Sequence, residues 1–242
     1  MLPTKPYFCF MMQKLSTIFS LLFLVTIQHV SCQQQQALGI DEFQTKISEK
    51  GVQILDVRTM GEYNSGFLTN ALQADWNNQT QFNDRTQHLD KTRPVYVYCA
   101  SGVRSAAAAA ALRDKGFTAI NMEGGMNAWK RAGKPVQGAT NEGKISAADY
   151  QKFSGTRGLV LVDFGAAWCP PCKKMEPVVA EVKKMSGVTV RYVDGGANAD
   201  LLNVYQVDAL PTFILYKDGK EVWRKQGIVS LEEFEKVFKS HA

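Results

Sequence analysis

Apolar and polar positions along this 242-residue chain fall into two blocks, in each of which short apolar runs alternate with stretches of helical spacing. From Gly39 onward a helical pattern over Asp41 to Glu49 leads through Gly51 to a strand over Val52 to Val57. A second apolar run, Pro94-Val95-Tyr96-Val97-Tyr98, ends at Cys99. After a short loop, Ala106 to Ala111 lies within a segment of high helix propensity, because alanine loses no side-chain entropy in a helix. Gly124-Gly125 marks a turn before Ala128-Trp129. Strand alternating with helix predicts an α/β domain with a parallel sheet covered on both faces.

The pattern breaks over Pro135 to Lys144, where Gly138, Thr140, Asn141 and Gly143 interrupt any period. This divides the chain into a first domain at 33–136, a link at 137–144 and a second domain at 145–242. In the second domain Ser146 is placed to cap a helix over Ser146 to Phe153. Leu159 to Phe164 and Val188 to Val193 read as strands. Thr212 to Tyr216 and Glu221 to Gln226 read as a hairpin across Asp218-Gly219. Leu231, Phe234, Val237 and Phe238 give a closing amphipathic helix. No internal repeat relates the two blocks.

Composition agrees with two globular domains: 45% hydrophobic and 21% charged residues. The net charge is +5, but Lys5 and Lys14 lie in a leader without acidic residues, and the remainder is weakly and diffusely basic. That excludes nucleic acid as the expected partner. The leader, residues 1–32, places Lys14 before the apolar run Leu15 to Ile27 and reads as a bacterial export signal. Two cleavages are open. Val30-x-Cys32 suits ordinary signal peptidase, whereas Ser31-Cys32 resembles a relaxed lipobox in which Cys32 is lipidated, with His29 where an aliphatic residue is usual. Both lead to a periplasmic protein, and the second to a membrane-anchored lipoprotein tethered by Gln33 to Gln36.

Trp168-Cys169-Pro170-Pro171-Cys172 follows the apolar run Leu159 to Phe164 and precedes a helical pattern. Two cysteines at this spacing on a strand-to-helix junction make a reversible dithiol, and the helix N-terminus favours the thiolate of the first. A zinc half-site has the same spacing, but the domain has no second C-x-x-C or His pair. Over roughly a hundred positions the segment resembles thioredoxin. The residues that carry the likeness are Val162-Asp163-Phe164, Trp168-Cys169-x-x-Cys172-Lys173, Pro177, Ala209-Leu210-Pro211-Thr212 and Lys217-Asp218-Gly219. The resemblance implies a redox disulfide with Cys169 attacking and Cys172 resolving. It implies a buried carboxylate at Asp163 that moves a proton to and from Cys172. It further implies a substrate surface made by Trp168, Leu210 and a cis Pro211. Pro170 replaces the commonest glycine of the motif, and Gly165 replaces a frequent aromatic, with a more open surface expected beside the site.

In the first block, Cys99-Ala100-Ser101-Gly102-Val103-Arg104-Ser105 joins a strand end to a helix through a glycine-containing loop. Such a loop aims backbone N–H groups at one anion, here a thiolate or persulfide, with Arg104 adding positive charge at the rim. The segment resembles the single-domain rhodaneses. The supporting positions are Leu55-Asp56-Val57-Arg58, Glu62-Tyr63, Gly66, Asn70-Ala71, the Cys99 loop and Glu123-Gly124-Gly125-x-x-Ala128-Trp129. The resemblance implies that Cys99 carries a persulfide, with Ala100, Ser101, Gly102 and Val103 lining the sulfur site. It also implies a structural Asp56–Arg58 ion pair, with Tyr63 and Trp129 in the core. Four residues separate Cys99 from Arg104, one fewer than in the related C-x5-R phosphatases, and the tighter ring suits a single sulfur atom. Phe67 departs from the family's frequent histidine.

The expected protein is thus an exported thiol–disulfide oxidoreductase with a sulfurtransferase domain, in which the Cys169/Cys172 dithiol reduces the Cys99 persulfide. Expected partners are a sulfane-sulfur donor such as thiosulfate, disulfide-bonded client proteins and a membrane electron donor. No cofactor or metal is expected. The alternative is a disulfide reductase whose rhodanese domain is an inactive binding or sensing module.

Overall fold

The computed structural model describes residues 36–138 and 143–242, so the leader and Cys32 lie outside the described residues. The first domain runs β1 (Ala37–Leu38), α1 (Ile40–Ile47), β2 (Gln53–Asp56), α2 (Met60–Asn64), β3 (Ala71–Gln73), α3 (Gln79–Thr86), β4 (Val95–Tyr98), α4 (Val103–Asp114), β5 (Ala119–Met122) and α5 (Gly125–Arg131). Its strands form one sheet in the order β1-β5-β4-β2-β3. Every pairing is parallel.

The period-2 alternation of β4 sorts its side chains between two cores. Val95 and Val97 join Leu55, Val57, Phe82 and Leu112 on one face. Tyr96 and Tyr98 join Phe43, Tyr63, Met126 and Trp129 on the other. The alanine run gives α4 a close approach to the sheet, with Ala108 and Ala109 buried. Below the sheet end, Arg58 donates to both carboxylate oxygens of Asp56 and to the Gly66 carbonyl. The expected buried pair is present, and Tyr63 and Trp129 are core residues.

The second domain runs α6 (Ala147–Ser154), β6 (Leu159–Gly165), α7 (Pro170–Val182), β7 (Val188–Asp194), α8 (Ala199–Val204), β8 (Thr212–Lys217), β9 (Lys220–Gln226) and α9 (Leu231–His241). Its sheet order is β7-β6-β8-β9. β6 pairs parallel with β7 and antiparallel with β8, and β8 and β9 form the hairpin. α7 and α9 cover one face through Met175, Val179, Phe234 and Phe238. Tyr150 and Leu201 pack on the other. Ser146 accepts from the Asp149 N–H as the cap of α6. Between the domains, Gln137 still belongs to the first, exchanging backbone hydrogen bonds with Phe67. By Gly143 the chain is held by the second, through Asn198.

Candidate active sites

Cys99 is fully buried at the end of β4. Its Sγ accepts from the Gly102 N–H at 3.1 Å and lies 3.3 Å from the Ser105 hydroxyl. Burial opposes ionisation, but Ser105 and the backbone N–H groups of Ser105, Ser101 and Gly102 outweigh it and hold the thiol below its ordinary value. The loop closes because Gly102 takes a left-handed φ of 91°, and a Cβ there would meet the Met122 carbonyl. Gly125 answers the same constraint from the opposite side. A Cβ would come within 2.4 Å of the Cys99 carbonyl oxygen, and without one, α5 donates from Met126 and Asn127 to the Cys99 and Ala100 carbonyls.

Of the predicted loop residues, Ser101 and Val103 face solvent, Ala100 is half-buried and Gly102 is buried. Arg104 lies in the first turn of α4 but binds Glu62 with both terminal guanidinium nitrogens, at 2.9 and 2.6 Å. That pairing, with the Thr59 cap, holds the Glu62 carboxyl down at about 2. Sequence reasoning gave Ser105 and Glu62 no role in the chemistry. Ser105 stands at the end of the Cys99 loop, and the T-x-x-E spacing of Thr59 and Glu62 was a readable helix-start signal.

Cys169 and Cys172 form a disulfide at the N-terminus of α7. Pro170 and Pro171 occupy the first two helical positions, where the missing N–H groups have no intrahelical acceptor to lose. The Cys172 N–H points at the Cys169 Sγ at 3.3 Å. The same Sγ lies 3.6 Å from the Leu210 carbonyl oxygen, and the Leu210–Pro211 bond is cis. The predicted Leu210 and Pro211 therefore do stand beside the dithiol. Asp163 is buried in β6, and desolvation pushes its carboxyl up to about 7 against a weaker opposing effect of Lys183. Gly165 does not open the surface as expected. Tyr192 occupies the space, 3.0 Å from where a Cβ would stand.

Trp168 also departs from a free rim. It packs against the first domain's core, edge-on to Tyr63 with ring centroids 6.4 Å apart. Its carbonyl accepts from the Gln73 N–H at 2.8 Å. The Arg85 guanidinium lies over its ring, 5.0 Å from the centroid. Gln73 aligns with Asp56 and Asp56 with Tyr98, so two strand spacings, roughly 10 Å, separate the Trp168 contact from the strand that carries Cys99. The Trp168 contact therefore lies at the same end of the first domain's parallel sheet as Cys99.

A loop cysteine on a parallel α/β sheet and a dithiol on a mixed sheet define a two-domain thiol protein. Residues 40–132 match the family model for the rhodanese-like domain, and residues 143–240 match that for thioredoxin. Thioredoxin of Chlamydia pneumoniae is 35% identical over 99 residues, 40% of this chain and 96% of that protein. Thioredoxin of Chlamydia muridarum is 41% identical over 99 residues, 40% of this chain and 97% of that protein. A rhodanese-like domain protein from Staphylococcus aureus, solved by crystallography, is 34% identical, covers 43% of this chain and 99% of its own, and has a TM-score of 0.39. The chain belongs to the thioredoxin family through its second domain, which is joined to a rhodanese-like first domain. These relationships support a thiol–disulfide oxidoreductase whose clients are disulfide-bonded proteins.

Proposed function

We propose that Cys99 accepts a sulfane sulfur and that the Cys169/Cys172 dithiol reduces it. The Cys99 thiolate attacks the outer sulfur of thiosulfate, forms a persulfide and expels sulfite. The Cys169 thiolate then takes that outer sulfur and Cys99 leaves as thiolate. Cys172 attacks the Cys169 Sγ and expels sulfide, which carries away the two electrons given up by the dithiol and leaves it oxidised as the Cys169–Cys172 disulfide. Asp163 takes the Cys172 proton, and an external electron donor regenerates the dithiol. We assign this chemistry to the periplasm on the leader pattern, with Cys32 as a lipid anchor if the lipobox cleavage is used and a membrane protein as the electron donor.

The observation that carries the reading is the convergence of the Gly102 N–H and the Ser105 hydroxyl on a single buried sulfur. One specific observation favours the alternative of a binding module: Arg104 is paired with Glu62, which leaves less positive charge for an anionic donor. Intact mass of the reduced protein after brief exposure to thiosulfate separates the two. One added sulfur that persists in Cys169→Ser/Cys172→Ser but is lost from wild type, with a Cys169–Cys172 disulfide formed, is the expected result. No added sulfur in either protein, with disulfide reduction intact, leaves the binding module.

A further inference from the structure

The C-P-P-C loop is a strand-to-helix connection of the kind that lies at the surface of a lone domain. Here Cys169, Pro170 and Pro171 are all buried. The first domain stands beside the loop: Trp168, the residue before Cys169, packs against its core, and α3 packs against α7, the helix that the loop begins. Arg85, in the last turn of α3, joins the pieces. Its guanidinium donates to the Gln73 backbone carbonyl at 3.2 Å and to the Gln73 side-chain oxygen, and it lies over the Trp168 ring.

The backbone of β3 shows that this contact completes the first domain's fold. β3 is a sheet edge, and its outward groups are satisfied one by one. The Ala71 N–H donates to Leu68 and the Ala71 carbonyl accepts from the Tyr63 hydroxyl. The Gln73 carbonyl accepts from Arg85, and the Gln73 N–H donates to Trp168. The last position of the edge is therefore filled by the redox motif itself.

We infer that the rhodanese-like domain is the size filter of the dithiol and that Arg85 is the positioning residue that holds it in place. The docked chain favours small or narrow thiol-reactive substrates, low-molecular-weight disulfides and persulfides, over the flat surface of a folded client. Folded clients react from the undocked form. The inference rests on Cys169 being the attacking thiol and is independent of whether Cys99 carries sulfur.

The test compares two maleimides of the same chemistry, N-ethylmaleimide and a maleimide on a polyethylene glycol chain, on the reduced full chain. A Cys172→Ser background keeps Cys169 a free thiol, and peptide mass confirms the modified site. The readout is the ratio of the bulky to the small rate constant at Cys169. Removing a guanidinium charge changes Cys169 ionisation for both reagents alike and cancels in the ratio, so the ratio reports access. Arg85→Ala is expected to raise it about tenfold, the equilibrium factor for loss of a desolvated cation–π contact and its hydrogen bonds. Arg85→Lys is expected to fall between. An unchanged ratio in Arg85→Ala overturns the inference. So does a ratio in the Cys172→Ser parent equal to that of a free cysteine peptide, a result that needs no Arg85 variant to fold. Because alkylation requires no turnover, a protein that loads no sulfur still yields a ratio that supports or overturns the filter.

Discussion

At the residue scale, Asp163 and Cys99 are tuned in opposite directions. Desolvation moves Asp163 from its ordinary 3.8 to about 7, so the folded state holds this proton more tightly than the unfolded chain does. Stability is therefore lost as pH rises through that interval and is level above it. Asp163→Asn removes the loss. Thermal melts of the oxidised protein should show the variant more stable above pH 7, by on the order of 4 kcal/mol, with the gain vanishing towards acid. Its single-turnover disulfide reduction should lack the inflection near neutrality that wild type shows. At Cys99 the hydrogen bonds prevail over burial, with Ser105 the largest of the opposing effects. In a Cys169→Ser/Cys172→Ser background, Ser105→Ala should move the thiolate ultraviolet absorbance midpoint upward and slow sulfur loading at neutral pH. A midpoint that does not move would assign the tuning to the backbone loop alone.

At the element scale, α2 links the two charged partners of the rhodanese loop. Thr59 and Glu62 form a reciprocal cap at its start, and Glu62 also holds Arg104. Glu62→Gln keeps a side chain able to complete the cap but loses the ion pair. The pair is partly exposed, so after solvent screening the cost should be about 0.5–1 kcal/mol at neutral pH. Because the folded carboxyl is depressed to about 2, the difference between variant and wild type should shrink as pH falls below the ordinary 4.5. Melts across that range check it. Elements of this kind mark the limit of what was legible in the chain. β4, β6 and α9 announce themselves by unbroken apolar runs or helical spacing, and the two cysteine motifs fall where expected. α3 carries Phe82 and Thr86 as its buried residues among polar neighbours, and β3 ends on a buried glutamine. Neither offers a period to read. Arg85 was equally silent, since its role arises only when a second domain brings Trp168 beneath it.

At the scale of the whole molecule, the hydrogen bond from Gln73 to Trp168 joins the two domains, and its fate can be followed directly. The Gln73 amide points outward to Trp168, whereas the next amide along the chain, Ala74, donates inward to Asp56. Hydrogen exchange should find both protected in the intact chain. Arg85→Ala should release Gln73 and leave Ala74 slow, because inward pairing does not depend on docking. Equal loss at both sites would instead mean that the variant loosens the sheet. The brevity of the connection gives this contact a property that its few partners would not otherwise have. Five residues separate Gln137, bound to one domain, from Gly143, bound to the other. Each domain thus meets its neighbour at an effective concentration in the millimolar range, and docking loses little of the translational and rotational freedom that two free proteins would surrender. A contact too weak to hold two separate molecules together is sufficient within one chain, and dilution does not undo it.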